Sequence, residues 1–183
     1  MKLVFLTPRF SYPPVKGDKL RPYHFIRHLS KEHEIILVSI IENPSEKQWI
    51  EKMASYCRRV ETFYMSRIKC IKRLFSKLPL QVYYYYSVDL QHRINEIIKE
   101  ENPDMLICEL ILSVIYFQNT NKPKIIDYVD AISLNYQRKW EFKKSLVGYL
   151  KLLEGNRVLE FEQQILNKYD HGLTMTLIDK QSI

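Results

Sequence analysis

Glycine is scarce, at 4 of 183 residues. This excludes collagen-like, linker-like and glycine-patterned repeat architectures. There is no G-x-G-x-x-G dinucleotide fingerprint and no Walker phosphate loop, so neither a nicotinamide enzyme nor a P-loop NTPase is expected. Cysteine is sparse too: Cys57, Cys70 and Cys108 cannot all pair, and none sits in a C-x-x-C or metal-ligand spacing. A reducing compartment is the simpler reading. Long apolar runs are also missing. Met1 to Leu6 is too short for a signal peptide before Thr7-Pro8-Arg9, and no stretch is long enough to span a bilayer, so the expected location is cytoplasmic.

What is present is material for a core. Apolar residues make up 46%, aromatics 13% and charged residues 27% of the chain, a globular balance whose length suits one domain over residues 1–183. The 28 Lys and Arg exceed the 21 Asp and Glu, giving a net charge of +7. Such a surface favours anionic partners, and phosphate, nucleic acid and acidic lipid headgroups all qualify.

Lys2 to Leu6 reads as a strand buried on both faces, because it is apolar without alternation. Pro8, Pro13, Pro14 and Gly17 make Thr7 to Asp18 an extended loop, and apolar spacing predicts a helix over Lys19 to Leu29. Glu34 to Ile41 is a second strand. Asn43, Pro44 and Ser45 offer start signals for a helical stretch up to Cys57, and a third strand is predicted over Arg59 to Met65. Ser66 to Lys77 reads as a helix, Pro79 as its breaker, and the Tyr83 to Tyr86 run as a loop. Asp89 is expected to cap a helix to about Glu101. Strands follow at Met105 to Cys108 and Lys124 to Val129. A long helical region is expected from about Ser133 to Leu153 and from Arg157 to Lys168, broken at Gly155, before a last strand over Gly172 to Thr176. Alternating strands and helices predict an α/β, doubly wound, mainly parallel, Rossmann-like sheet. Ligands of such sheets bind beyond the carboxyl ends of the strands, which nominates the loops after Leu6, Cys108 and Asp127.

The first loop is the most informative. Gly17 permits close approach of a ligand to the backbone, helix-start N–H groups attract phosphate, and Arg9, Lys16 and Lys19 add positive charge. A glycine needed only for the turn gives the same pattern.

The run Thr7-Pro-Arg-Phe-Ser-Tyr-Pro-Pro-Val-Lys-Gly-Asp-Lys-Leu-Arg-Pro-Tyr-His-Phe-Ile-Arg-His-Leu-Ser, followed by His33-Glu-Ile-Ile-Leu-Val, resembles the start of family 4 glycosyltransferases of the GT-B type, most of all the sugar transferases of bacterial exopolysaccharide clusters. Lys77-Leu-Pro-Leu-Gln, Asp127-Tyr-Val-Asp130 and Glu160-Phe-Glu-Gln-Gln-Ile before Tyr169-Asp170 extend the likeness. The resemblance implies one half of a GT-B architecture, the N-terminal acceptor-side domain, with the C-terminal donor-binding domain absent from this chain. It implies a retaining enzyme without metal or cofactor, in which a nucleotide sugar enters as substrate and a glycan or lipid-linked acceptor receives the sugar. By itself the chain is then expected to be inactive. Arg9, Lys16, Gly17 and Asp18 match the loop that touches the donor diphosphate, although many relatives carry two adjacent glycines there.

Glu109 directly follows a strand and is a candidate for an acceptor hydroxyl, or else an exposed helix-start carboxylate. Asp127 and Asp130 fall on different faces, so they form no acid/base dyad; one is expected to bond sugar hydroxyls and the other to cap the next helix, with Asp130 preferred for the ligand. His24 and His28, at i and i+4, lack a third ligand and read as surface or packing residues, so no metal is expected. Arg67, Lys69, Lys72, Arg73 and Lys77 interleave with Ile68, Ile71 and Leu74 in the pattern of a helix lying on an anionic membrane, or of a solvated face above a core stripe. Tyr83 to Tyr86 can stack on sugars, sit among headgroups, or pack. No side chain reads as a nucleophile. The alternative to a transferase domain is a non-catalytic Rossmann-like module for an anionic ligand or membrane surface. No nucleic-acid partner is expected, because the basic residues are spread over several helices without a known motif.

Overall fold

The computed structural model describes residues 1–65, 78–142 and 146–182. The predicted membrane-surface segment carrying Arg67, Lys69, Lys72, Arg73 and Lys77 lies outside the described residues, as does Cys70.

Six strands form one parallel sheet: β1 (Lys2–Thr7), β2 (Glu34–Ile41), β3 (Arg59–Tyr64), β4 (Met105–Glu109), β5 (Lys124–Val129) and β6 (His171–Thr174). Their order is β3-β2-β1-β4-β5-β6, and every neighbouring pair is parallel. The apolar runs explain this placement. Parallel neighbours need a covering crossover, so central strands are buried on both faces and carry Leu, Ile and Val at successive positions. In β2 every residue after Glu34 is buried.

The helices are α1 (Gly17–Leu29), α2 (Ile50–Ala54), α3 (Leu80–Tyr84), α4 (Val88–Glu101), α5 (Ile132–Phe142), α6 (Leu146–Leu166) and α7 (Leu177–Ser182), with 3₁₀ turns at Pro44–Trp49 and Val114–Tyr116. They divide the core into two. On one face Ile26 of α1 and Met53 of α2 pack with Leu3, Phe5, Leu37 and Ile107. On the other, Leu90, Ile94 and Ile97 of α4 and Phe161 and Ile165 of α6 pack with Val4, Leu6, Ile36 and Leu106. Successive strand residues feed opposite clusters, as the period of two requires.

Four expectations change at the level of elements. First, α1 begins at Gly17 rather than Lys19. Second, α6 runs unbroken through Gly155. A Cβ there would lie 2.6 Å from Tyr136 Cβ of α5, so this glycine allows two helices to touch and does not end one. Third, Tyr83 and Tyr84 belong to α3 rather than to a loop. Fourth, Ser87 holds the cap position of α4, and Asp89 sits in its first turn, where it complements the positive helix end.

Candidate active-site rim

The strand order reverses between β1 and β4, which opens the crevice where doubly wound sheets bind ligands. Three of the sequence-nominated positions, Arg9 to Asp18, Glu109 and Asp127, converge there because they end or follow β1, β4 and β5.

A buried polar row crosses the sheet at this end. Thr7 is in register with Ser39, and its hydroxyl donates to Ser39 Oγ at 2.8 Å. Thr7 and Glu109 lie one residue past the Leu6–Cys108 pair, and Glu109 is in register with Asp127. All four are nearly inaccessible. Leu106 and Cys108 belong to the α4 cluster and Ile107 to the α1 cluster, so alternation puts Glu109 on the α1 face. Asp127, between Ile126 and Tyr128 of the α4 cluster, shares that face. The two carboxyls therefore stand side by side on adjacent strands, a pairing that looking at Asp127 and Asp130 alone missed.

Their surroundings differ. Asp127 Oδ2 accepts from Arg21 Nε of α1 at 2.5 Å, and its Oδ1 accepts from the Val129 N–H at 3.2 Å. Glu109 has 3% exposure, and neither of its oxygens makes a hydrogen bond. Burial first, then the neighbouring charges of Asp127 and Asp18, push its carboxyl well above the usual range, while Arg21 and Arg9 pull the other way. A buried polar group without a partner costs stability and marks a place where an exogenous hydrogen-bonding group fits. Glu109 is thus the opposite of an exposed helix-start carboxylate.

Both strands end in strained backbone. Leu110 has φ 56° and Val129 φ 61°, the left-handed region that a β-branched residue strongly disfavours. The cost is about 1–3 kcal/mol each, a kind of strain that clusters at functional sites.

The loop after β1 meets this rim from α1. Lys16 is the extended N-cap, without a side-chain cap bond, and Gly17 opens the helix. A Cβ on Gly17 would meet no atom within 4 Å, so packing does not demand glycine here. Arg9, Lys16, Asp18, Lys19, Glu42 and Glu46 enclose a cavity of about 290 Å³. The expected positive charge is offset there: Arg9 pairs with Asp18, and Lys19 Nζ lies 2.8 Å from Glu46 Oε1. Lys16 is the cation of this cavity that has no ion pair among the described residues. Burial opposes the Arg9 charge, but Asp18 and Tyr85 outweigh it and hold the guanidinium more firmly protonated. Tyr85, whose hydroxyl donates to Glu42 Oε1 at 2.7 Å, is pushed up to about 12, chiefly by burial.

Asp130 is exposed beyond the row. Neither it nor Asp127 caps α5; Glu162 does, accepting from Ile132 N–H at 2.9 Å and from the Ser133 hydroxyl at 2.5 Å. His24 and His28 are exposed on α1, and among the described residues no group of His, Cys, Asp and Glu could hold a metal ion. Cys57 and Cys108 are buried and free, each pushed up to about 12 by burial. Arg21, Thr7 and Ser39 were not among the sequence candidates. The usable signal was a polar residue at the end of an apolar strand and a basic residue one turn into the helix after Gly17.

Seven solved chains match this fold. Among them is the 2.2 Å crystal structure of a protein described as a UDP-N-acetylglucosamine 2-epimerase from Listeria monocytogenes, with a TM-score of 0.55 and 12% identity. The match covers 99% of this chain and 41% of that one, so the chain spans well under half the length of its structural neighbour. The fold is thereby established as an α/β, Rossmann-like parallel sheet. No protein-family model matches the chain, and no curated protein matches its sequence. Among the described residues no helix is long and apolar enough to cross a membrane.

Proposed function

We propose that the chain is the acceptor-side half of a retaining GT-B glycosyltransferase, contributing to transfer of a sugar from a nucleotide sugar to a glycan or lipid-linked acceptor in bacterial surface polysaccharide synthesis. The observation that carries this reading is Glu109, buried without a partner at the topological switch point and facing the loop that opens α1. Burial makes its carboxyl hold a proton more tightly than an exposed one, and in that form it donates a hydrogen bond to an acceptor hydroxyl. Asp127, paired with Arg21, accepts one from a neighbouring hydroxyl. The open N–H groups at Gly17 and Asp18, with Lys16, meet the donor diphosphate, and Arg9 is shared between it and Asp18. Catalysis then rests on alignment and on stabilising the departing diphosphate. Exposed Leu173, Met175, Leu177 and Ile178 along β6 and α7 suit contact with a donor-binding domain. The basic segment over residues 66–77 would hold the enzyme at an anionic membrane, each basic residue contributing about 1 kcal/mol.

The test is sugar transfer from UDP-glucose, UDP-N-acetylglucosamine and GDP-mannose to polyprenyl-phosphate-linked acceptors. The full-length gene product is expected to transfer from one donor, and residues 1–183 alone are expected not to. Gly17→Ala should keep its melting temperature yet weaken UDP binding about tenfold, since an added methyl blocks backbone approach to phosphate. Robust transfer by residues 1–183 alone would refute the two-domain reading. The structural neighbour's description favours a second reading, a sugar-nucleotide epimerase half. Conversion of UDP-N-acetylglucosamine to its 2-epimer without an acceptor would select it.

A further inference from the structure

A cavity of about 510 Å³ opens on the opposite side of the sheet from α1, between α4 and the segment leading from the second 3₁₀ turn into β5. Its volume falls within the range of small-ligand sites. In a chain that is 27% charged, its lining contains no Asp, Glu, Lys, Arg or His. Half of the lining is carboxamide: Gln91, Asn95, Gln118, Asn119 and Asn121.

A carboxamide presents donor and acceptor in one plane and so matches a pair of neighbouring hydroxyls, each of which also donates and accepts. The ammonium groups that approach from behind are held by the wall itself, Lys168 Nζ by the Gln118 carboxamide and Lys124 Nζ by the Thr120 carbonyl, so the lining presents amides and hydroxyls rather than charge. Part of the lining is already positioned. Gln91 Nε2 donates to Asn95 Oδ1 at 3.1 Å and to Tyr116 O at 3.0 Å, and Gln118 Oε1 accepts from Lys168 Nζ at 3.1 Å. Asn119 and Asn121 are exposed and make no side-chain hydrogen bond among the described residues. The rings of Tyr86 and Tyr116 stack at 5.8 Å with 29° between their planes, and the Tyr116 hydroxyl donates to Tyr85 O at 2.5 Å. Tyr116 is buried and backs the half-buried Tyr86 ring, and that ring beside a row of amides suits the C–H face and hydroxyl edge of a pyranose.

We propose that this flank cavity binds an uncharged oligosaccharide, at a site separate from the rim at the strand ends. The inference rests on the cavity's own lining and goes beyond the transferase reading. The ¹⁵N-labelled 183-residue chain is titrated with cellobiose, maltose and N,N′-diacetylchitobiose, and with glucose and glucose 6-phosphate as a charge pair. At least one neutral disaccharide should shift the side-chain amide signals of Asn95, Asn119 and Asn121 saturably. Asn119→Ala and Asn121→Ala should each weaken that binding about fivefold, as loss of one hydrogen bond does. His92→Ala, on α4 outside the lining, should leave it unchanged. The proposal is overturned if none of the disaccharides moves these signals, if glucose 6-phosphate shifts them more strongly than glucose, or if the Asn95 signal titrates with unchanged affinity in the Asn119→Ala/Asn121→Ala double variant.

Discussion

The rim at the strand ends and the cavity on the α4 flank are both polar, but they are built on opposite principles. At the rim, charges are paired: Arg21 holds Asp127, Asp18 holds Arg9, and burial pushes the Glu109 carboxyl between them well above its usual range. On the flank the lining is uncharged and partly open to water. Buried charge is sensitive to any lost partner, whereas exposed amides exchange protein contacts for water at little cost. The rim should therefore be coupled to folding, and the flank should be nearly independent of it.

Arg21→Met is the strongest challenge to that contrast. It leaves the 3%-exposed Asp127 carboxylate without its counter-charge, and the expected loss is about 3 kcal/mol in urea unfolding. A loss below about 1 kcal/mol would show that the rim is not held by charge.

Glu109→Gln tests the upward shift of this carboxyl by its pH dependence. The folded state keeps a proton that the unfolded chain releases near pH 4.3, so the stabilisation is full below that pH and is lost as pH rises toward the raised folded value. Wild-type stability should fall by up to about 1.4 kcal/mol per pH unit through that window, and the Gln variant should remove this component. Urea midpoints between pH 5 and pH 8 read the difference, and parallel pH profiles for the two proteins would count against a raised Glu109 carboxyl.

The smallest effect belongs to the flank. Asn119→Ala and Asn121→Ala should each change stability by no more than about 0.5 kcal/mol. A larger loss in thermal unfolding would mean that these amides hold the fold together rather than await a ligand.

Much of the architecture was legible because apolar runs and breakers are local. β1, β2, β4 and β5 lie where unalternating Leu, Ile and Val predict them, and the parallel sheet follows from their spacing with helices. Gly155 was misread because propensity makes glycine a helix breaker, while the 2.6 Å approach to Tyr136 depends on a partner helix. The geometry of the candidate rim was half legible. The loop after β1, Glu109 and Asp127 were nominated by position in the fold, but preference for Asp130 over Asp127 followed distance along the chain. Arg21, which pairs with Asp127, lies 106 residues away in sequence.

The sequence by itself determined the alternating elements, the doubly wound sheet and the strand ends at which a ligand would sit, since each depends on patterns a few residues long. Only the tertiary structure decided which carboxyl is paired and which is stranded, and that a row of amides meets two tyrosines on the far face. Those facts depend on register between strands and on burial, and the free energy of a charge is set by what the fold brings beside it.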